Sequence, residues 1–135
     1  MYLTVKTKKH SYILNLERRN SLLQGDSGTG KSKLVRYIDN FNKYGKGAGL
    51  VVECDKRVTV VSEAPRSKYW FDEHADELLV IDEDVRFPDR GEFFKSARSH
   101  DCWVLYVSRC YDVTAFDCAY KLVTNGNTTT NAVLR

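Results

Sequence analysis

No run of this sequence comes near the ~18 consecutive apolar residues that a membrane-spanning helix needs. The opening Met1-Tyr-Leu-Thr-Val-Lys6 has no signal-peptide layout either, so a cytoplasmic protein is the expectation. The four cysteines, Cys54, Cys102, Cys110 and Cys118, form no C-x-x-C pair and no zinc-like spacing. Cys54 and Cys102 sit in apolar runs, where a thiol serves as a small core residue. His10, His74 and His100 are scattered, so no metal is expected beyond Mg²⁺ carried by a nucleotide. Internal repeats and low-complexity segments are absent as well. What remains is a single domain of 135 residues, 42% hydrophobic and 29% charged, the balance of an ordinary globular chain.

The net charge of +3 is unevenly spread: residues 1–60 carry 12 Lys/Arg against 5 Asp/Glu, and residues 61–135 carry 9 against 13. A basic face for nucleic acid and a merely solvated surface are both open on this ground, and the scatter favours the second.

Chemistry concentrates in Ser21-Leu-Leu-Gln-Gly-Asp-Ser-Gly-Thr-Gly-Lys-Ser-Lys33. Gly25, Asp26, Ser27, Gly28, Thr29, Gly30, Lys31 and Ser32 spell G-x-x-x-x-G-K-[ST], the pattern of a phosphate-binding loop, and Lys33 follows. Glycines without Cβ let the backbone curl round a phosphate, and the loop's N–H groups then line an anion nest at a helix N-terminus. Lys31 is the point charge for the β- and γ-phosphates, and the Ser32 hydroxyl is a Mg²⁺ ligand. A glycine-rich turn matching by accident is the competing reading. Against it, an apolar run (Ser21–Gln24) precedes the loop, and Leu34, Val35, Ile38 and Phe41 follow at helical spacing.

Leu78-Leu-Val-Ile-Asp-Glu83 is the second anchor. Four apolar residues read as a buried parallel strand that delivers carboxylates at its C-terminal edge. Asp82 then holds Mg²⁺ and Glu83 activates the attacking water; Asp84 is either a solvated neighbour, the favoured reading, or a spare Mg²⁺ ligand.

Elsewhere, Met1–Lys6 and Ser11–Leu16 alternate as a β-hairpin. The helix from Lys31 to Tyr44 ends at Gly45. Leu50–Cys54 and Arg57–Ser62 are strands close enough across Asp55-Lys56 to pair as a second hairpin. Ser67–Asp76 is a short helix whose Tyr69 or Trp70 either fills core or stacks on an adenine ring. A helix follows Phe87-Pro88 with Pro88 near its first position, carrying Phe93, Phe94 and Ala97 inward. Cys102–Ser108 is a further apolar strand. Arg109, just after it, either neutralises the transition state or pairs with Asp112. The tail 119–134 is a hairpin turning at Asn125-Gly126.

Together these residues resemble the additional-strand catalytic-glutamate branch of P-loop ATPases: Gly25–Ser32 as Walker A, Leu78–Glu83 as Walker B, Cys102–Ser108 as sensor strand. The resemblance implies an α/β, three-layer P-loop NTPase fold, its central sheet mostly parallel with added β-hairpins. It also implies that the sensor strand lies between the other two, with Ser108 contacting the γ-phosphate. Within the branch the likeness is to small ATPases of phages and mobile elements. An ABC-type engine is disfavoured, because no LSGGQ-like signature follows the loop.

The function expected is Mg²⁺-dependent ATP hydrolysis, with Glu83, Lys31 and Arg109 catalytic. ATP is preferred to GTP because no N-K-x-D motif occurs. The alternatives are a nucleotide-dependent regulatory protein with little hydrolysis, acting on a larger partner or as a homo-oligomer, and a small-molecule kinase using Arg57, Arg66 and Arg90 as a clamp.

Overall fold

Alternation decides the first two strands. In β1 (Tyr2–Lys6) and β2 (Ser11–Asn15), Leu3, Val5, Tyr12 and Leu14 turn to one face and are buried. The strands pair antiparallel, and the turn between them is held by Thr7. Its Oγ1 accepts from the backbone N–H groups of Lys9 and His10 at 3.3 and 3.0 Å. The computed structural model describes residues 1–25, 30–108 and 115–134, and every structural statement below concerns those.

β3 (Asn20–Gln24) leads to α1 (Lys31–Tyr44), which buries Leu34, Val35 and Ile38 and stops at Gly45, where φ is +61°. A 3₁₀ turn (Gly45–Ala48) follows, then β4 (Val51–Cys54) and β5 (Val58–Val61). A single-turn α2 (Trp70–Glu73) precedes β6 (Leu78–Ile81), all four of whose residues are completely buried. α3 (Arg90–Ser99) is capped by Asp89, whose carboxylate accepts from the Glu92 N–H at 3.1 Å, so Pro88 lies one residue before the cap rather than in the first turn. β7 (Trp103–Ser108), β8 (Cys118–Asn125) and β9 (Thr128–Val133) complete the order. The β8–β9 turn is Gly126-Asn127, with positive φ only at Gly126, one residue later than the Asn-Gly pair suggests.

The nine strands make one sheet, in the order β4-β1-β2-β9-β8-β3-β7-β6-β5. This overturns the expected three-layer fold with a mostly parallel central sheet, and with it the resemblance to the P-loop ATPase branch as a statement of architecture. The fold is mostly β, with 38% of the described residues in strands and 27% in helices, and its mixed sheet is nearly closed like a barrel. The physical reason lies in the hairpins. They read as additions at a margin, yet β1, β2, β4, β8 and β9 supply five of the nine strands and carry the sheet round. One local placement does agree: β7 lies between β3 and β6, parallel to both.

The second expected hairpin does not form. β4 pairs with β1 and β5 with β6, so strands three residues apart in sequence occupy opposite ends of the sheet. The carbonyl of Val58 accepts instead from Asn42 Nδ2 of α1 at 2.8 Å. Curling brings both ends around α1, whose Leu34 and Ile38 share a core with Leu3, Val5 and Leu14 as well as Val58, Val80 and Val107. The other face of β6 and β7 carries a second core, in which Leu79, Ile81, Val104 and Tyr106 meet Phe71 of α2 and Phe93 and Ala97 of α3.

Candidate functional site

Parallel strands end together, and that sets the site. β3 and β7 are in register to their last residues, Gln24 opposite Ser108, while Ile81 at the end of β6 lies opposite Tyr106. Glycine 25, Ser108 and the Asp82-Glu83 pair therefore emerge along one rim of the sheet, where ligands of parallel strands bind. Asp82 and Glu83 are half-buried and Asp84 is exposed. The pair is fixed in a turn: Asp82 N–H donates to the Val61 carbonyl and Val85 N–H to that of Asp82, each at 3.2 Å.

Lys31 is buried although it carries a full charge, which requires a partner. Its ammonium donates to the Gly25 carbonyl, so a lysine at the start of α1 ties together the two ends of the 25–30 segment. Gly30 takes φ +98°, and a Cβ there would also meet the Tyr12 hydroxyl at 3.3 Å. Two independent constraints thus demand glycine at 30. Its carbonyl then accepts the first helical bond, from Leu34 N–H at 3.0 Å. Ser32 and Lys33 are exposed on the first turn of α1, and Ser108 is buried at the tip of β7. Asp26, Ser27, Gly28, Thr29 and Arg109 lie outside the described residues, as does Asp112.

The remaining sequence candidates reach this rim only in part: Arg66 follows the end of β5 that adjoins Asp82, and Arg57 does not. Trp70 stacks on His74 with ring centroids 4.2 Å apart, so its face is already covered, and Tyr69 is exposed with Lys68 over its ring. Arg57 precedes β5 and Arg66 follows it, so the two stand at opposite ends of that strand. Arg90 lies 6.0 Å from the Tyr106 ring centroid. An arginine clamp made of all three is not assembled. Cys102 is buried and its thiol is pushed up by burial, as a core residue should be; Cys54 is only half-buried, with its thiol raised for the same reason.

Two features had little or no signal in the sequence. Tyr12 reads only as an inward strand residue, yet its hydroxyl abuts the loop-to-helix junction; burial first, then Tyr37, raises its pKa. Glu77 is a buried carboxylate at the opposite end of β6 from Asp82. It accepts from Thr59 Oγ1 at 2.6 Å, lies 2.9 Å from His74 Nδ1, and has Arg57 Nε at 3.9 Å. With so many partners it is a satisfied structural cluster.

Chemically, the rim offers one buried cation, an exposed hydroxyl and two half-buried carboxylates. Among the described residues no three His, Cys, Asp or Glu side chains converge to hold a metal by themselves. A hydroxyl with a carboxylate suits Mg²⁺, which keeps waters and takes further oxygens from a phosphate. No helix among the described residues is long and apolar enough to cross a membrane. No protein-family model matches the chain, and no curated protein is significantly similar to it.

Proposed function

We propose that this rim binds Mg²⁺-ATP and hydrolyses it. The observation that carries the reading is the common register of β3, β7 and β6, which brings Gly25 and the acidic pair to one edge of one sheet. Lys31 would give its charge to the β- and γ-phosphates, and Ser32 with Asp82 would hold the cation. When bound, Mg²⁺ supplies neutralisation of the phosphate charge. Glu83 would accept a proton from the water that attacks the γ-phosphorus as the bond to the ADP oxygen breaks. Ser108, at the tip of the strand between, would contact the γ-phosphate. A reducing, ATP-rich compartment such as the cytoplasm suits this chemistry, and Cys54, Cys102 and Cys118 are free thiols.

Phosphate release from Mg²⁺-ATP by the purified protein tests the reading, run beside Glu83→Gln across a range of protein concentrations. We expect turnover in the parent and a loss of about 10²–10⁴-fold in the variant, with nucleotide binding kept. Turnover per subunit that climbs with concentration assigns part of the site to a neighbouring copy. Binding without turnover in the parent replaces hydrolysis with a nucleotide-dependent regulatory role. If neither binding nor turnover occurs, the proposal fails.

A further inference from the structure

A second cleft opens beside the acidic pair and is not used by the reading above. It has a volume of about 600 Å³ and lies between the segment leaving β5 and the segment leaving β6. Arg66, Glu63 and Ser62 come from the first, Arg86 and Asp84 from the second, with Pro65 and Pro88 stiffening the two walls. The volume falls in the range of small-molecule sites.

Its two guanidinium groups are available. Arg66 is 92% exposed and meets Glu63 only at 3.9 Å, a contact that water screens heavily. Arg86 is exposed and makes no ion pair among the described residues. Other clefts compare poorly. The one at Arg18 and Arg19 has Arg19 directed to Asp101 and to the Arg98 carbonyl. The one between β4 and β5 has Asn42 hydrogen-bonded into the β5 edge at its lining.

Guanidinium forks on two separate segments bordering one cleft match the planar oxygens of phosphate and carboxylate, which a lone lysine would not. Glu63, Asp84 and Ser62 add acceptors for hydroxyl groups of the same molecule. We propose that this cleft binds a small hydroxylated anion through a phosphate or carboxylate group held by Arg66 and Arg86. No described residue of positions 25–33 lines this cleft, and the proposal does not depend on that segment binding nucleotide.

The test is calorimetric titration with glycerol 3-phosphate and, separately, malate. The proteins are the parent, Arg66→Gln, Arg86→Gln, the double arginine variant, and Lys31→Ala. Both arginines are exposed, so these variants keep the fold, which circular dichroism checks. We expect one or both anions to bind, the double variant to weaken binding at least about tenfold, and Lys31→Ala to leave it unchanged. A preference for one anion identifies the group recognised. Binding abolished by Lys31→Ala but indifferent to the arginines assigns the anion to the glycine-rich segment and overturns the proposal. Absence of binding by both anions overturns it as well.

Discussion

The two halves of the sheet obey different rules. In β3, β7, β6 and β5 both faces are covered, by α1 on one side and by α2 and α3 on the other, and β6 is a run of four completely buried aliphatic residues. In β1 and β2 one face packs on the shared core while the other faces solvent; β8 starts between the two cores, Ala119 in the second and Tyr120 in the first, and with β9 opens to solvent further along. There Ile13 on β2, Thr130 on β9 and Val123 on β8 form an exposed cross-strand row. The strand ends on which the proposed chemistry stands belong to the doubly covered half. The open half closes the molecule and buries α1.

Cutting a side chain back in each half should separate them most. Leu79→Ala, on β6 facing α3, should lose about 2–5 kcal/mol in urea unfolding because the cavity cannot collapse between two layers. Ile13→Ala, on the open face at 37% exposure, should lose well under about 1 kcal/mol. Equal losses would show that the two halves are not covered differently.

A smaller effect should mark where the halves touch. Gly30→Ala places a Cβ at φ +98° against Tyr12, and should lower stability by about 1–3 kcal/mol. Adding Tyr12→Phe should recover only the steric part. Complete recovery would mean that the backbone conformation at 30 is unstrained, and no loss at all would remove the contact between β2 and the loop.

Smaller again is the response to alkaline pH. Tyr120 on β8 is buried in the shared core, and its pKa is pushed up to about 12, chiefly by that burial. The folded state therefore favours the neutral phenol. Its contribution is fully present below the unfolded value of about 10 and is lost as pH rises towards 12. Tyr120→Phe should flatten this part of the profile. It also leaves the Glu17 N–H, now 3.0 Å from the hydroxyl, without its acceptor, at a cost of about 1 kcal/mol at neutral pH. A profile unchanged by the substitution would assign the alkaline loss to other groups.

Local structure was largely legible in the sequence, because local rules write it. Alternation marks β1 and β2, Gly45 marks the end of α1, and four aliphatics in a row mark a strand with no open face. The convergence of Gly25, Asp82 and Ser108 also follows from motif and strand type. Sheet closure was not legible. Val51–Cys54 and Val58–Val61 look like a hairpin since proximity along the chain is the only pairing signal available there. Their partners are chosen by tertiary packing around α1, through contacts such as Asn42 to Val58. Tyr12 was invisible as a neighbour of Gly30 for the same reason. Nothing in an alternating strand says which loop will pass over it.

The three-residue link 55–57 has a consequence for the order in which the molecule assembles. It joins the two outermost strands, so β4 and β5 are expected to pair last, an order that pulsed hydrogen exchange during refolding would check. Several of those pairings are long-range, Asn20 with Val104 and Ser11 with Thr128 among them. Slow folding is the expected outcome, since such pairings close long loops before their contacts reward the closure.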